Sequence, residues 1–529
     1  MPDESVKKPA VAETNVKETV ESILIAFILA FIFRGFVVEA FVIPTGSMAP
    51  TLYGAHMRFR CPDCGTSFDV GYSSHDDSDD PEYPAIAERP IDYHCPNCGY
   101  TFRAGQMQRV RFGDRILVLK YLYLFQKPQR GDTVVFKSPY EGRKHKPSDP
   151  DYSVNYIKRL TGIGPETVVI LDGDIYVGPF GSRDPKQFKI WRKPDHVQNV
   201  LWRTINDNDY IPHLSDAQRA SADPWQQPWE AGKGQAGWDL GKDGRSSIFR
   251  FNGTAAATLE FRPELNRDAH NMTDYHVYDE LEQHNAERFP VSDLKLGCTY
   301  SRAGGTGPLL LQLTKHSECF TAEITPGNVR LLRSSASALN FDAAAAQVVG
   351  AKAIGALGGS APVRIELSNV DYRVTLRIDG RDELTFDYDP DVAVLWENEN
   401  ERRNRLSHPH VRMMAAGQQC AIEHVQVARD IFYQNNDGRL QWGIPRQPVD
   451  LKAGEYFVLG DNSPISGDAR FWTDPIKLEK EGMPDVESGR VPEQFMLGKA
   501  FFVYWPAGYP VPSTNINIVP DFGDMRFIH

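Results

Sequence analysis

Ser47 stands in the run Phe41-Val-Ile-Pro-Thr-Gly-Ser-Met-Ala-Pro-Thr-Leu52, just downstream of the one long apolar segment of the chain. A serine hydroxyl becomes a useful nucleophile only when a neighbouring base takes its proton. Histidine is the usual base, but none of the 14 histidines has a motif around it: His94 adjoins a cysteine, and His408 and His410 lie in an irregular stretch. The other option is a lysine that burial keeps neutral near pH 7. Lys158, in Asn155-Tyr-Ile-Lys-Arg-Leu-Thr-Gly-Ile-Gly164, is flanked by apolar side chains, and on a strand it would share a face with Tyr156 and Leu160. A serine nucleophile held at a membrane surface points to acyl-transfer chemistry on substrates that also arrive in the membrane.

A second chemistry lies in the cysteines. Cys61-Pro-Asp-Cys64-Gly65 and Cys95-Pro-Asn-Cys98-Gly99 read as two rubredoxin-like knuckles, each turning two thiolates toward one centre. Two such turns make a tetrahedral four-cysteine site with no open position, hence a structural zinc. The competing reading is a pair of disulfides, which an oxidising exterior favours. The long gap between the knuckles is filled by an acidic, serine-rich loop, Ser73–Glu82. Cys298, Cys319 and Cys420 lie much later; with an odd number, at least one is free or pairs elsewhere, and buried apolar cysteines are the plain reading.

These residues need elements to hold them. Val20 to Val38 would rise about 28 Å as a helix, roughly one bilayer core. Its uninterrupted apolar run, Ile23–Phe33, also suits a cleavable signal peptide, but no small-x-small site follows directly, so an uncleaved anchor is expected. Lys7, Lys8 and Lys17 argue that the tail is cytoplasmic and the rest outside. The 529 residues exceed one core, and the net charge of −12 excludes the basic stripe of a nucleic-acid binder. Phe41–Leu52 reads as a strand running into a turn, and strand patterns follow at Val110–Val118, Arg130–Phe136, Asn155–Gly164 and Thr167–Val177, with Asp172-Gly173 as a hairpin turn. Residues 180–240 are rich in Trp, Pro, Asp and Gln and show little period. From Arg245 to about Tyr433, short alternating runs read as an antiparallel β-sandwich, with alanine-rich Asp342–Ala353 as a helix or loop within it. Strands close the chain at Glu455–Gly460 and Leu497–Trp505.

Four segments in order, Ser47-Met-Ala-Pro-Thr-Leu52, Arg130-Gly-Asp-Thr-Val-Val-Phe136, Tyr156-Ile-Lys-Arg159 and Gly460-Asp-Asn-Ser-Pro-Ile-Ser-Gly-Asp-Ala-Arg470, resemble the boxes of bacterial type I signal peptidases, as does Gly498–Trp505. The resemblance implies a Ser47–Lys158 dyad, with Lys158 as base and then acid. It implies an oxyanion hole from the Ser47 N–H and the Thr45 hydroxyl. Ser466 would orient the lysine, and Asp468 and Arg470 would form a supporting ion pair. Phe41, Ile43, Pro44, Leu52, Tyr156 and Ile157 would bind substrate on strand edges and in shallow pockets for small side chains.

The fold class expected is mainly β. A single N-terminal transmembrane helix precedes a signal-peptidase-type catalytic domain, which is interrupted by a zinc ribbon and a concanavalin-like β-sandwich. The expected division is a cytoplasmic tail 1–18, an anchor 19–38, a peptidase domain 39–56 plus 108–178 plus 441–529, a cysteine insert 57–107, and a linker with sandwich 179–440. The implied partners are signal peptides of secreted preproteins, the lipid bilayer, the export machinery and a carbohydrate or protein ligand of the sandwich. Catalysis is expected to need no cofactor. The implied location is the cytoplasmic membrane, single-pass, with the peptidase on its outer face. Two other classes compete: a silent peptidase-like scaffold presenting a lectin-like domain, which predicts drifted catalytic residues, and a self-cleaving repressor, which needs a DNA-binding module and no anchor.

Overall fold

Strands from the two ends of the chain share one sheet, and that pairing positions the candidate site. The computed structural model describes residues 16–32, 35, 37–72, 93–102, 106, 108–139, 154–215, 224–266, 271–275, 278, 289–336, 345–355, 357, 359–398, 408–434, 441–472, 486–508 and 519–529. An eight-stranded antiparallel sheet runs in the order Val38–Val42, Arg115–Leu119, Met496–Trp505, Thr133–Lys137, Asn155–Ile163, Glu455–Leu459, Val491–Pro492, with Arg526–Phe527 beside Met496–Trp505. The expected strand Val110–Val118 is two strands in different sheets, Val110–Arg111 and Arg115–Leu119. Gly113 lies between them where the backbone of Ile43 passes so close that a Cβ would sit 1.8 Å from the Ile43 carbonyl oxygen.

The hairpin Glu166–Leu171/Asp174–Gly178 turns at Asp172-Gly173, as expected. Both turn residues have positive φ, 51° and 82°, the geometry that matches the twist of paired strands. Its apolar run is buried on both faces. Val168 and Ile170 enter the core beneath the eight-stranded sheet, and Val169 and Leu171 enter the sandwich core. The period-two alternation of a strand therefore joins the two units through one hairpin.

The sandwich has two antiparallel sheets around one core. One runs Trp238–Asp239, Phe249–Gly253, Gln418–Arg429, Leu294–Gly305, Gly359–Val370, Arg373–Ile378, Arg381–Asp387; the other runs Trp229–Ala231, Ala257–Phe261, Val411–Ala415, Leu309–Lys315, Glu318–Thr325, Asn328–Ser335, Gln347–Ala353. Two expectations change here. Residues 347–353 of the alanine-rich stretch form an edge strand paired with Asn328–Ser335, since ladder hydrogen bonds outweigh alanine's helical preference. The aperiodic 180–240 stretch supplies strands to both sheets, Arg203–Asp207 and Trp229–Ala231.

The cysteine segment forms a three-stranded sheet (Ser67–Gly71, His56–Arg60, Val110–Arg111) and a two-stranded one (Tyr93–His94, Thr101–Phe102) around Phe59, Phe68, Tyr93 and Phe102. The expected loop Ser73–Glu82 lies outside the described residues.

The N-terminal helix spans Val16–Ile32. Among the described residues, no helix is both long and apolar enough to cross a membrane. At 17 residues this helix rises about 26 Å, short of the expected span to Val38, of which residues 33, 34 and 36 lie outside the described set.

Candidate active site

Ser47 is the middle residue of a short turn of 3-10 helix, Gly46–Met48, which follows the edge strand Val38–Val42. Met48 and Leu52 are apolar and fully buried, so they pin the turn beneath the sheet and leave Ser47 half-buried at its surface. Lys158 lies on Asn155–Ile163, four places away across the sheet. The serine turn packs against this strand, and Lys158 Nζ donates to Ser47 Oγ at 2.6 Å across 111 residues of sequence. The lysine is only 5% exposed. Its Nζ also stands 5.5 Å from the centroid of the Tyr156 ring, the neighbour on its own face of the strand.

The Gly460–Arg470 box folds against the opposite side of the serine turn. Asn462 donates its backbone N–H to the Ser47 carbonyl at 3.0 Å and its side-chain N–H to the Gly46 carbonyl at 3.1 Å. Arg470 and Asp468 are fully buried and paired through two hydrogen bonds of 2.8 Å. Asp468 also accepts from the Gly460 N–H at 3.0 Å, and Arg470 donates to the Gln434 carbonyl and the Ser463 hydroxyl. Ser466 is close by: a Cβ on Gly460 would lie 2.1 Å from the Ser466 hydroxyl and 2.5 Å from the Ser47 carbonyl oxygen. The buried Ser466 hydroxyl makes no hydrogen bond among the described residues, so the expected contact with the lysine is not formed here.

Two residues inside the quoted boxes had no assigned role. Arg159 and Asp461 form a second fully buried pair, with two hydrogen bonds of 2.7 Å. Arg159 also donates to the Gly131 and His529 carbonyls, tying three of the boxes and the last residue together. Their opposite charges within the boxes were the available signal.

The expected substrate residues divide. Phe41, Ile43, Leu52 and Ile157 gather in one apolar cluster beside the serine turn. Tyr156 is not in that cluster: its ring packs on Phe136 and Trp472, on the lysine's side of the strand. Pro44 and Thr45 are exposed, and the Pro44 carbonyl accepts the Ala55 N–H. Among the described residues, two strand edges flank the serine: Val38–Val42 pairs on one side only, and Asn155–Lys158 pairs with Thr133–Lys137 but lies beyond the end of the ladder with Glu455–Leu459.

The four clustered cysteines meet as expected. Cys61 and Cys98 sulfurs are 3.7 Å apart and those of Cys64 and Cys95 are 3.6 Å apart, all four being reduced and buried. Those spacings exceed a disulfide bond of about 2 Å and match the edge of a tetrahedron with metal–sulfur bonds of about 2.3 Å. Gly65 and Gly99 take positive φ and close each knuckle by bonding back to the Cys61 and Cys95 carbonyls. The donor set suits a soft, four-coordinate metal ion. Cys298, Cys319 and Cys420 are buried, and burial pushes the Cys298 and Cys420 thiols up to about 12.

The sequence profile of the family described as signal peptidase, peptidase S26, matches residues 16–61, 101–208 and 397–505, about half of the chain, and includes the serine turn, the lysine strand and the Gly460–Arg470 box. The chain belongs to that family. Signal peptidase I of Pseudomonas aeruginosa is 36% identical over 91 residues, 17% of this chain and 25% of that protein. The Pseudomonas fluorescens enzyme of the same name is 40% identical over 111 residues, 20% of this chain and 32% of that one. The chain thus spans a quarter to a third of the length of these relatives. Among solved structures, the carbohydrate binding module CBM66 from Bacillus subtilis aligns at 10% identity over 38% of this chain and 94% of that one, with a TM-score of 0.23, too slight a likeness to carry an argument.

Proposed function

We propose that this chain is a membrane-bound serine endopeptidase that removes signal peptides from exported preproteins through a Ser47–Lys158 dyad. The observation that carries this reading is the 2.6 Å contact from Lys158 Nζ to Ser47 Oγ. Neutral Lys158 takes the hydroxyl proton as Ser47 Oγ attacks the scissile carbonyl. The Ser47 N–H and the Thr45 hydroxyl receive the developing oxyanion, and the exposure of Thr45 leaves room for one. Collapse breaks the peptide bond, and Lys158 returns the proton to the leaving amine of the mature protein. Lys158 then deprotonates a water that hydrolyses the ester and frees the signal peptide. The open edges of Val38–Val42 and Asn155–Lys158 suit an extended peptide, and the Phe41, Ile43, Leu52 and Ile157 cluster suits small side chains.

The membrane reading rests on the N-terminal helix. Ile23, Leu24, Ile25, Ile28 and Leu29 point in directions all round it, and each is at least half exposed. A helix apolar all round and uncovered by protein belongs in lipid. In this reading it anchors the chain with its N-terminus cytoplasmic and the peptidase on the outer face, where membrane-borne substrates are concentrated. Cys61, Cys64, Cys95 and Cys98 would hold a structural zinc that braces the segment after the serine turn. The chain then divides as tail, anchor, discontinuous peptidase, cysteine insert and sandwich insert.

The test is cleavage of a preprotein with an Ala-x-Ala site by the detergent-solubilised full chain, beside Ser47→Ala and Lys158→Ala. Each variant should lose at least about a thousandfold in kcat. A folded wild type that cuts nothing would replace this reading with that of a silent scaffold presenting the sandwich.

A further inference from the structure

We infer that the sandwich insert supplies a positioning residue, Tyr278, that holds the Ser47 turn in its reactive place. The inference rests on the peptidase reading of Ser47. Gly46 precedes Ser47 and Gly71 ends a strand of the cysteine segment. Neither has a positive φ, so backbone conformation does not demand glycine at either place. Space does. A Cβ on Gly46 would lie 2.2 Å from Cε1 of Tyr278 and 2.9 Å from its hydroxyl; a Cβ on Gly71 would lie 2.6 Å from the same Cε1. The ring fills a slot between two bare Cα atoms.

Tyr278 is 2% exposed. Its hydroxyl donates to the Ala55 carbonyl at 3.4 Å, and its ring lies 5.9 Å from that of Tyr53. It therefore touches the serine segment at its start, Gly46, and at its end, Tyr53 and Ala55. Asn462 holds the same turn from the other side. Ser47 sits between a clamp from its own sheet and one from the insert.

The insert anchors its clamp at both ends. Thr273 bridges Pro290, and Asp274 exchanges hydrogen bonds with Phe289, forming a short antiparallel stem below Tyr278. Arg429, at the end of a sandwich strand, donates to the Asp274 and Tyr275 carbonyls at 2.8 and 3.0 Å. Gln434 donates to the Asp274 carboxylate and receives from Arg470, while its backbone N–H bonds the Ser463 hydroxyl. The stem is thus tied to the network that carries Asp468 and Asn462. The insert acts on the nucleophile's position and need not touch substrate.

The test is a steric swap in the full chain. Gly46→Ala should collide with the ring and lower kcat at least about a hundredfold. Tyr278→Ala should lower kcat about tenfold with KM nearly unchanged, because the turn loses one clamp and the binding edges remain. Tyr278→Phe, which keeps the ring, should restore kcat to within about threefold. The double variant Gly46→Ala/Tyr278→Ala should recover at least about tenfold over Gly46→Ala alone, a coupling that independent sites do not show. Hydrogen exchange gives a readout apart from activity: Tyr278→Ala should expose the Ala49, Leu52 and Ala55 amides and leave Leu309–Lys315 protected. Additive losses in the double variant, full activity of Gly46→Ala, or unchanged exchange at those amides overturns the inference. Gly46→Ala retains the tyrosine, so it decides the point even where Tyr278→Ala does not fold. Should the wild type cut nothing, the peptidase reading fails, and the exchange arm still decides whether Tyr278 holds the turn.

Discussion

Ser47 and Lys158 meet because buried ion pairs hold the loops around them. Asp468 and Arg470 are both fully buried, and their remaining hydrogen-bonding capacity is met by Gly460, Ser463 and Gln434. Such a pair adds modest net stability, but removing one partner leaves a buried charge uncompensated. Asp468→Asn should therefore destabilise the chain by about 3–5 kcal/mol, read as an earlier midpoint in denaturant titration. It should also loosen Gly460, whose N–H loses a charged acceptor. An unchanged midpoint would show that Arg470 finds enough neutral acceptors without the carboxylate. At this scale the boxes held the two residues that meet and the Asp468–Arg470 pair. They did not reveal Asn462 as the clamp on Gly46 and Ser47, because a backbone-to-side-chain contact between two loops leaves no trace in composition. Nor did they show that the Ser466 hydroxyl finds no hydrogen bond among the described residues.

Among the elements, the strand His56–Arg60 links the serine turn to the cysteines. It begins one residue after Ala55, which closes the serine segment, and runs straight to Cys61. If the cysteines hold zinc, elemental analysis should give about one zinc per chain, and Cys64→Ser should abolish it. Removing the metal by chelation should lower the melting temperature by at least a few degrees. It should also reduce cleavage, since the strand that fixes the end of the serine segment loses its support. A metal-free chain with an unchanged melt would make the four cysteines plain core residues. The knuckles were legible because Cys-x-x-Cys-Gly is a local geometry. The split of Val110–Val118 was not, because its cause is the passage of Ile43 beside Gly113, a contact between distant segments.

For the whole molecule, the sandwich is docked on the peptidase sheet through a buried seam. Lys193 pairs with Asp371 and Asp430, and Lys315 pairs with Asp174 and Asp293, joining the hairpin, its flanking segment and the sandwich. Val169, Leu171 and Tyr176 of the hairpin belong to the sandwich core. Removing residues 179–440 would bare those side chains and leave Asp174 without its lysine partner. We expect such a shortened chain to be insoluble or to melt without cooperativity, judged by calorimetry. A soluble, cooperative and active shortened chain would show that the insert only selects substrates.

The residue types by themselves singled out a serine and a lysine in local boxes, two cysteine knuckles, a hairpin turn at Asp172-Gly173 and a mainly β alternation. Each of these is decided within a few residues, where backbone geometry and side-chain chemistry act at short range. The tertiary structure decided which strand edges stay open beside Ser47, that one hairpin serves two cores, and that Tyr278 of the insert fills the space left by Gly46 and Gly71. Those outcomes depend on close packing between segments hundreds of residues apart, which the local pattern of a chain does not encode.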